Sequence, residues 1–190
     1  MDNFIDAPDW STIPAPSDDG AARHLPGAKV PAVNLEASDG KTVDLSALRG
    51  RTVVYAYPRT GRPGTDNPPG WDAIPGARGC TPQACAFRDH FAELQRSGVD
   101  HLFGLSTQDS AYQREAAERL HLPFAMLSDE QLKLTRALNL PTFETAGMTL
   151  LKRFTLIIDE GTIKHVFYPV FPPDQSASDL LAWLSQQPRS

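Results

Sequence analysis

Thr52-Val53-Val54-Tyr55-Ala56-Tyr57 leaves the chain little choice of architecture. The run is β-branched and aromatic, with Gly50 before it and Pro58 after it. A strand with one wet face alternates apolar and polar residues. This one does not, so both of its faces are covered. It reads as a buried central strand.

The rest of the chain supplies the cover. Residues 43–45 read as a short strand or the entry to a turn, and Arg49-Gly50-Arg51 as a turn. Thr81 is the expected N-cap of a helix with Pro82 at its first position. Phe87, Phe91 and Leu94 repeat there at i, i+4 and i+7, and Gly98 ends the run. Residues 102–106 form a strand and 109–120 a helix with Ala116, Ala117 and Leu120 on one side. Ser128-Asp129-Glu130-Gln131 has capping-box spacing and opens a helix to about Leu138. Residues 153–159 and 163–168 are two strands joined at Asp159-Glu160-Gly161-Thr162, a hairpin signal. Leu180, Leu181 and Leu184 stripe a final helix. The order β-α-β-α-α-β-β-α predicts an α/β domain with a central mixed β-sheet flanked by helices. Residues 1–28 are rich in Pro, Asp, Ser and Ala and lack periodicity. They are expected to be a tail or surface arm, leaving residues 29–190 as the domain.

Composition narrows the function. A chain of 190 residues fits one such domain. A net charge of −5 with scattered Lys and Arg points away from nucleic acid and anionic membranes. No run reaches the ~18 apolar residues of a spanning helix. The start, MDNFIDAPDW, is acidic and lacks the order of a secretory signal. The expected setting is cytoplasmic, where thiols are kept reduced.

Residues 58–79 hold Pro58, Pro63, Pro68, Pro69 and Pro75 and five glycines, so they are expected to be a loop that Trp71 and Ile74 pin down. Both cysteines of the chain, Cys80 and Cys85, follow at once. The first N–H groups of a helix have no intrahelical partners and carry partial positive charge. A thiolate is favoured there, which makes Cys80 the better nucleophile of the two. If both cysteines are helical, their Cα atoms lie roughly 8–9 Å apart, beyond the ~7 Å a disulfide spans. If Thr81 is the N-cap, they sit at N′ and N4, which often touch. The residues leave three readings open: small buried hydrophobes, a metal site, or redox chemistry. The metal reading is weakened because the spacing is not C-x-x-C and His24, His90, His101, His121 and His165 form no ligand-spaced cluster.

Tyr57-Pro58 followed by Gly79-Cys80-Thr81-Pro82-Gln83-Ala84-Cys85-Ala86-Phe87-Arg88-Asp89 resembles the peroxidatic motif of the peroxiredoxins. It is most similar to the bacterioferritin comigratory protein, or peroxiredoxin Q, branch. The resemblance continues in GVDHLFGLSTQDS (98–110), in Leu122-Pro123-Phe124 and Leu127-Ser128-Asp129, and in Arg153-Phe154-Thr155-Leu156-Ile157-Ile158-Asp159, covering roughly residues 29 to 187. It implies a thioredoxin-like fold and a thiol peroxidase that needs no metal or organic cofactor. By the resemblance, Cys80 matches the peroxidatic cysteine and Cys85 the resolving cysteine of an intramolecular disulfide. Arg153 matches the arginine beside the thiolate, and Pro58 the proline that shields the site. The implied partners are a peroxide, either hydrogen peroxide or an organic hydroperoxide, and a thioredoxin-like or glutaredoxin-like reductant. The implied assembly is a monomer, or a homodimer if Trp71 is exposed. One departure stands out. The family pattern has seven positions from proline to cysteine, whereas Pro58 and Cys80 are 22 apart. About 15 residues are inserted, and Ala77 occupies the usual hydroxyl position, with Thr60 and Thr65 as the loop hydroxyls that could replace it.

Without the resemblance, Arg153 would be expected to pair with a structural carboxylate at the sheet end. Arg88 and Asp89 read as an ion pair, Phe87 and Phe91 as core, and His90 as a solvated helix residue. Two other functions fit the cysteines. One is a redox sensor that binds a partner through the 58–79 loop. The other is a thiol–disulfide oxidoreductase, although C-x-x-C is absent.

Overall fold

The computed structural model describes residues 8–187. A seven-stranded sheet runs in the order β2-β1-β5-β4-β3-β8-β9. Its strands are β1 (Asn34–Ala37), β2 (Thr42–Asp44), β3 (Arg51–Ala56), β4 (His101–Ser106), β5 (Met126–Ser128), β8 (Phe154–Asp159) and β9 (Thr162–Phe167). A separate hairpin pairs β6 (Thr142–Thr145) with β7 (Met148–Leu151). As its composition requires, β3 lies well inside the sheet, parallel to β4 and antiparallel to β8. The sheet is mixed, the fold is thioredoxin-like, and helices cover both faces.

Side-chain alternation along β3 splits the core in two. Val54 and Ala56 face a cluster that includes Leu25, Leu45, Leu134 and Leu156. Val53, Tyr55 and Tyr57 face the other side, against Cys80, Ala84 and Phe87 of α1 (Cys80–Asp89), Leu94 of α2 (Phe91–Arg96), and Ala177, Leu180 and Leu184 of α5 (Ser176–Ser185). Tyr55 stacks on Phe87 with ring centroids 4.3 Å apart. This second layer fastens α1 to the sheet centre and so fixes where the first cysteine sits.

Several boundaries differ from the sequence reading. Gly79, not Thr81, caps α1: its carbonyl accepts the Gln83 N–H, and its φ of 105° is one that glycine adopts freely. Cys80 is therefore the first helical residue. The single helix expected to Gly98 breaks at His90, whose φ of −99° and ψ of 5° leave helical geometry. Phe91 consequently begins α2 and is only half-buried. Asp109 caps α3 (Ser110–Arg119) through the Tyr112 N–H. The start of α4 (Lys133–Leu138) is held by Asp129 rather than by a Ser128 capping box, with the carboxylate accepting from the Leu134 and Thr135 N–H groups. The strands β1, β5, β6 and β7 are too short for periodicity to reveal. The β8–β9 hairpin was legible, and its turn residues Glu160 and Gly161 both have positive φ, as a two-residue turn needs.

Two segments outside the regular core shape the site. From Pro8 onward the N-terminal arm lies against the domain, and Ala22 and Leu25 join the core; residues 1–7, part of the expected arm, lie outside the described residues. The 58–79 segment is not structureless. It contains a 3-10 turn at Trp71–Ala73, and Trp71 is buried against Ala77 and Leu150. Arg62 lies 3.9 Å from the centroid of the Tyr112 ring, and Gly61 accepts a hydrogen bond from Arg119 Nη2 at 3.0 Å. Trp71 is therefore packed within the chain rather than exposed on its surface.

Candidate active site

The left-handed turn at Gly79 brings the 58–79 loop into α1 and sets Cys80 at the helix mouth, 6% exposed. β8 begins directly opposite. Its preceding residue, Arg153, is 3% exposed and reaches back to that mouth. Arg153 Nη2 lies 3.3 Å from Cys80 Sγ. The same nitrogen donates to the carbonyls of Gly76, Ala77 and Arg78 at 3.2, 3.3 and 3.2 Å. Arg153 Nη1 donates to the Gln83 side-chain oxygen.

Arg153 thus has no carboxylate partner among the described residues, contrary to the structural ion pair that spacing alone suggested. A buried guanidinium without a counter-charge is costly unless its N–H groups are satisfied. Here carbonyl dipoles, an amide and a sulfur do most of that work. They also orient the fork, since a planar guanidinium held on several sides cannot turn away. Arg153 Nε is buried with no partner among the described residues.

Gln83 is the residue that sequence reasoning missed. It sits three positions after Cys80 on the same helical face, is fully buried, and bonds Ser176 of α5 at 3.3 Å while accepting from Arg153. The i, i+3 spacing was a usable signal, but nothing in the sequence said that this face would meet a buried cation.

Cys85 lies on the same helix, half-buried, and both thiols are free. Burial pushes the Cys85 thiol above its ordinary range, with Arg88 partly opposing the shift. With both cysteines inside α1, their Cα atoms are roughly 8–9 Å apart. A disulfide needs ~7 Å or less, so the first turn of α1 must unwind before the two sulfurs can bond. The alternative in which they stand at N′ and N4 falls with Thr81 as N-cap.

The remaining expected residues fall out as follows. Pro58 is buried just past the end of β3. Thr60 is buried and gripped by Gln108, which accepts from its N–H at 2.9 Å and donates to its carbonyl at 3.1 Å. Thr65 is exposed. Neither hydroxyl bonds Cys80, whose partners among the described residues are Arg153 and, at 3.8 Å, the Ala77 carbonyl. The Ala77 side chain packs with Trp71 and Leu150 instead. Trp71 is thereby a loop anchor. Arg88 and Asp89 form the expected ion pair at 2.9 Å, and Arg88 also bonds the Leu120 carbonyl. The His90 ring pairs with Glu93 at 3.3 Å and has no other side-chain partner among the described residues.

Burial also acts on the tyrosines beneath the site. The Tyr57 phenol is pushed up to about 12, chiefly because burial penalises its anion, and Tyr55 is raised for the same reason.

Comparison with known proteins gives the chain's family and fold. The redoxin family profile matches residues 25–184. The chain is 33% identical over 157 residues to peroxiredoxin Q, chloroplastic, of Triticum aestivum, covering 82% of this chain and 64% of that protein's length. It therefore spans slightly less than two thirds of that plant relative. It is 32% identical over 165 residues to peroxiredoxin Bcp of Escherichia coli K12, covering 84% of this chain and 95% of that one. The crystal structure of peroxidoxin BcpB from Mycobacterium tuberculosis superimposes with a TM-score of 0.69 at 25% identity, over 87% of this chain and 99% of that one. On the profile match and the near full-length match to the bacterial protein, the chain belongs to the redoxin family and, within it, to the peroxiredoxin Q/Bcp branch.

Proposed function

We propose that this chain is a thiol-dependent peroxidase, an oxidoreductase, in which Cys80 is the attacking residue. The observation that supports this most directly is the 3.3 Å approach of a buried guanidinium, with no carboxylate partner among the described residues, to a sulfur at a helix N-terminus. Both features favour negative charge on that sulfur. In the proposed first step the Cys80 thiolate attacks one peroxide oxygen, an S–O bond forms and the O–O bond breaks. Sulfur loses two electrons and becomes a sulfenic acid. The leaving oxygen takes the electron pair, then a proton, and departs as water or an alcohol. Arg153 acts as a fixed donor to the charge developing on that oxygen.

In the second step Cys85 condenses with the Cys80 sulfenic acid, giving a disulfide and water. This requires α1 to unwind at its start, and Gly79 is the natural hinge. A thioredoxin-like or glutaredoxin-like dithiol then reduces the disulfide by exchange. Pro58, buried at the end of the central strand, is proposed to close the site to bulk water. The proposed setting is cytoplasmic, with residues 29–190 as the catalytic domain, Ala22 and Leu25 of the arm packed into its core, and the chain acting as a monomer or homodimer.

Stopped-flow mixing of the reduced protein with hydrogen peroxide and with cumene hydroperoxide tests this reading. Fast second-order consumption that Cys80→Ser abolishes is the expected result. Slow oxidation in the parent protein, with a partner bound in only one redox state, would replace the enzyme by the redox-sensing binding protein.

A further inference from the structure

A cavity of about 300 Å³ opens beside Arg153, outside the helix mouth. It is at the lower end of the ~300–1,000 Å³ of ordinary small-molecule sites. Its walls come from four segments: Pro16 of the N-terminal arm, Ile74 of the inserted loop, Phe143 of β6, and Pro169 after β9. These surfaces are apolar. The arm is fastened over the cavity by Asp19, whose carboxylate accepts from Lys152 Nζ at 2.6 Å and from the Tyr168 hydroxyl at 2.7 Å. That pairing neutralises Lys152, so among the described residues Arg153 is the one charged lining residue without an opposite charge beside it.

We propose that this cavity seats the apolar body of a compact organic hydroperoxide, and that the arm and the inserted loop set the chain's preference for such substrates over hydrogen peroxide. The inference rests on the peroxidase reading and adds to it where the substrate's carbon skeleton lies. Arg153 links the two places: it lines the cavity, it touches Cys80 Sγ, and its buried Nε–H has no partner among the described residues. With the body R in the cavity, the Cys80 sulfur attacks the terminal oxygen of R–O–O–H. The S–O bond forms, the O–O bond breaks, and the departing R–O⁻ receives the electron pair beside the guanidinium before taking a proton to leave as R–OH. Sulfur is oxidised by two electrons to the sulfenic acid. An anionic substrate body gains nothing at the rim, since Lys152 is already paired. Hydrogen peroxide has no body to place there and depends on the helix mouth alone.

The test compares rate constants for cumene hydroperoxide and hydrogen peroxide in the parent protein and in Ile74→Trp, which fills the cavity from the inserted loop. The ratio of the two constants is expected to fall about tenfold or more, as apolar-pocket discrimination allows. Phe143→Trp fills the cavity from the opposite wall and takes its place should Ile74→Trp fail to fold by circular dichroism. A ratio unchanged within twofold in the folded variant overturns the proposal. Binding provides a second readout that needs no turnover. In Cys80→Ser, the product alcohol 2-phenyl-2-propanol is expected to give saturable NMR shifts at residues of the arm and the inserted loop, lost on adding Ile74→Trp. Shifts confined elsewhere, or none up to the solubility limit, overturn it. A parent protein that consumes neither peroxide defeats the peroxidase reading itself, a result the alcohol titration distinguishes from failure of the cavity assignment.

Discussion

Arg153 Nη2 and Cys80 Sγ stand 3.3 Å apart across 73 residues of sequence. One end of that contact is fixed by the first residue of α1, the other by the residue before β8. The guanidinium bonds three successive loop carbonyls as well, so it orders the loop that delivers the cysteine.

Arg153→Lys keeps the charge and loses the fork. A lysine ammonium cannot reach the loop carbonyls, Gln83 and the sulfur together. The second-order rate constant for hydrogen peroxide is expected to fall by about 10²–10³, the usual effect of removing one preorganised donor. Stopped-flow tryptophan fluorescence measures the rate, and a parallel thermal melt separates it from lost stability. A rate within threefold of the parent would remove Arg153 from the mechanism.

Cys85→Ser should leave the first oxidation intact and stop turnover with a thioredoxin-type reductant. The burial-raised thiol of Cys85 adds a pH dependence. The folded state holds it protonated at neutral pH, so disulfide formation is expected to accelerate as pH rises toward 9 and beyond. Rapid quench and mass spectrometry at several pH values follow this step. Unimpaired steady-state turnover in the serine variant excludes the resolving role.

Trp10 and Gly79 offer a handle on the unwinding of α1. A Cβ at Gly79 would meet Trp10 Cη2 and Pro173 Cγ at 2.7 Å each, at a φ of 105°. Gly79→Ala is therefore expected to destabilise the fold by on the order of 3 kcal/mol, from overpacking plus left-handed strain. Trp10 is held in place by an indole N–H bond to Asp174 at 2.9 Å and by an edge contact with Phe171. Trp10→Ala should free the first turn and speed Cys80–Cys85 disulfide formation several-fold. Denaturant melts and quench kinetics measure the two effects, and an unchanged disulfide rate would show that the arm does not restrain the helix.

Tyr57 predicts how the protein fails in alkali. Its phenol is pushed from 10.0 up to about 12 by burial. The neutral form is what the fold accommodates, so its full contribution is present below pH 10 and is lost as pH climbs toward 12. Two units correspond to about 3 kcal/mol. Unfolding followed by far-ultraviolet circular dichroism, with absorbance at 295 nm reporting phenolate, should show both signals moving together in this window. Tyr57→Phe is expected to move the onset to higher pH, and an onset that stays in place would assign the loss to other groups.

Much of this was legible in the residues themselves. The apolar run of β3 dictated a buried strand, because a chain with no polar alternation cannot leave a face in water. The Glu160-Gly161 turn declared its hairpin through the positive φ that glycine tolerates. The cysteine segment and Arg153 could be singled out because their types and order match a family pattern. What remained hidden was set by contacts distant in sequence. Thr81 looked like a cap, yet Gly79 became one because the incoming loop required a left-handed turn. Ala77 and Trp71 carry no label of their destination, and only packing against Leu150 decided it. Gln83 and the loop carbonyls became partners of a buried guanidinium because two ends of the fold meet there. Local sequence determines strand, helix and turn through short-range sterics and hydrogen bonds. The site itself arises where burial forces a cation, carbonyl dipoles and a sulfur to satisfy one another, and that condition exists only in three dimensions.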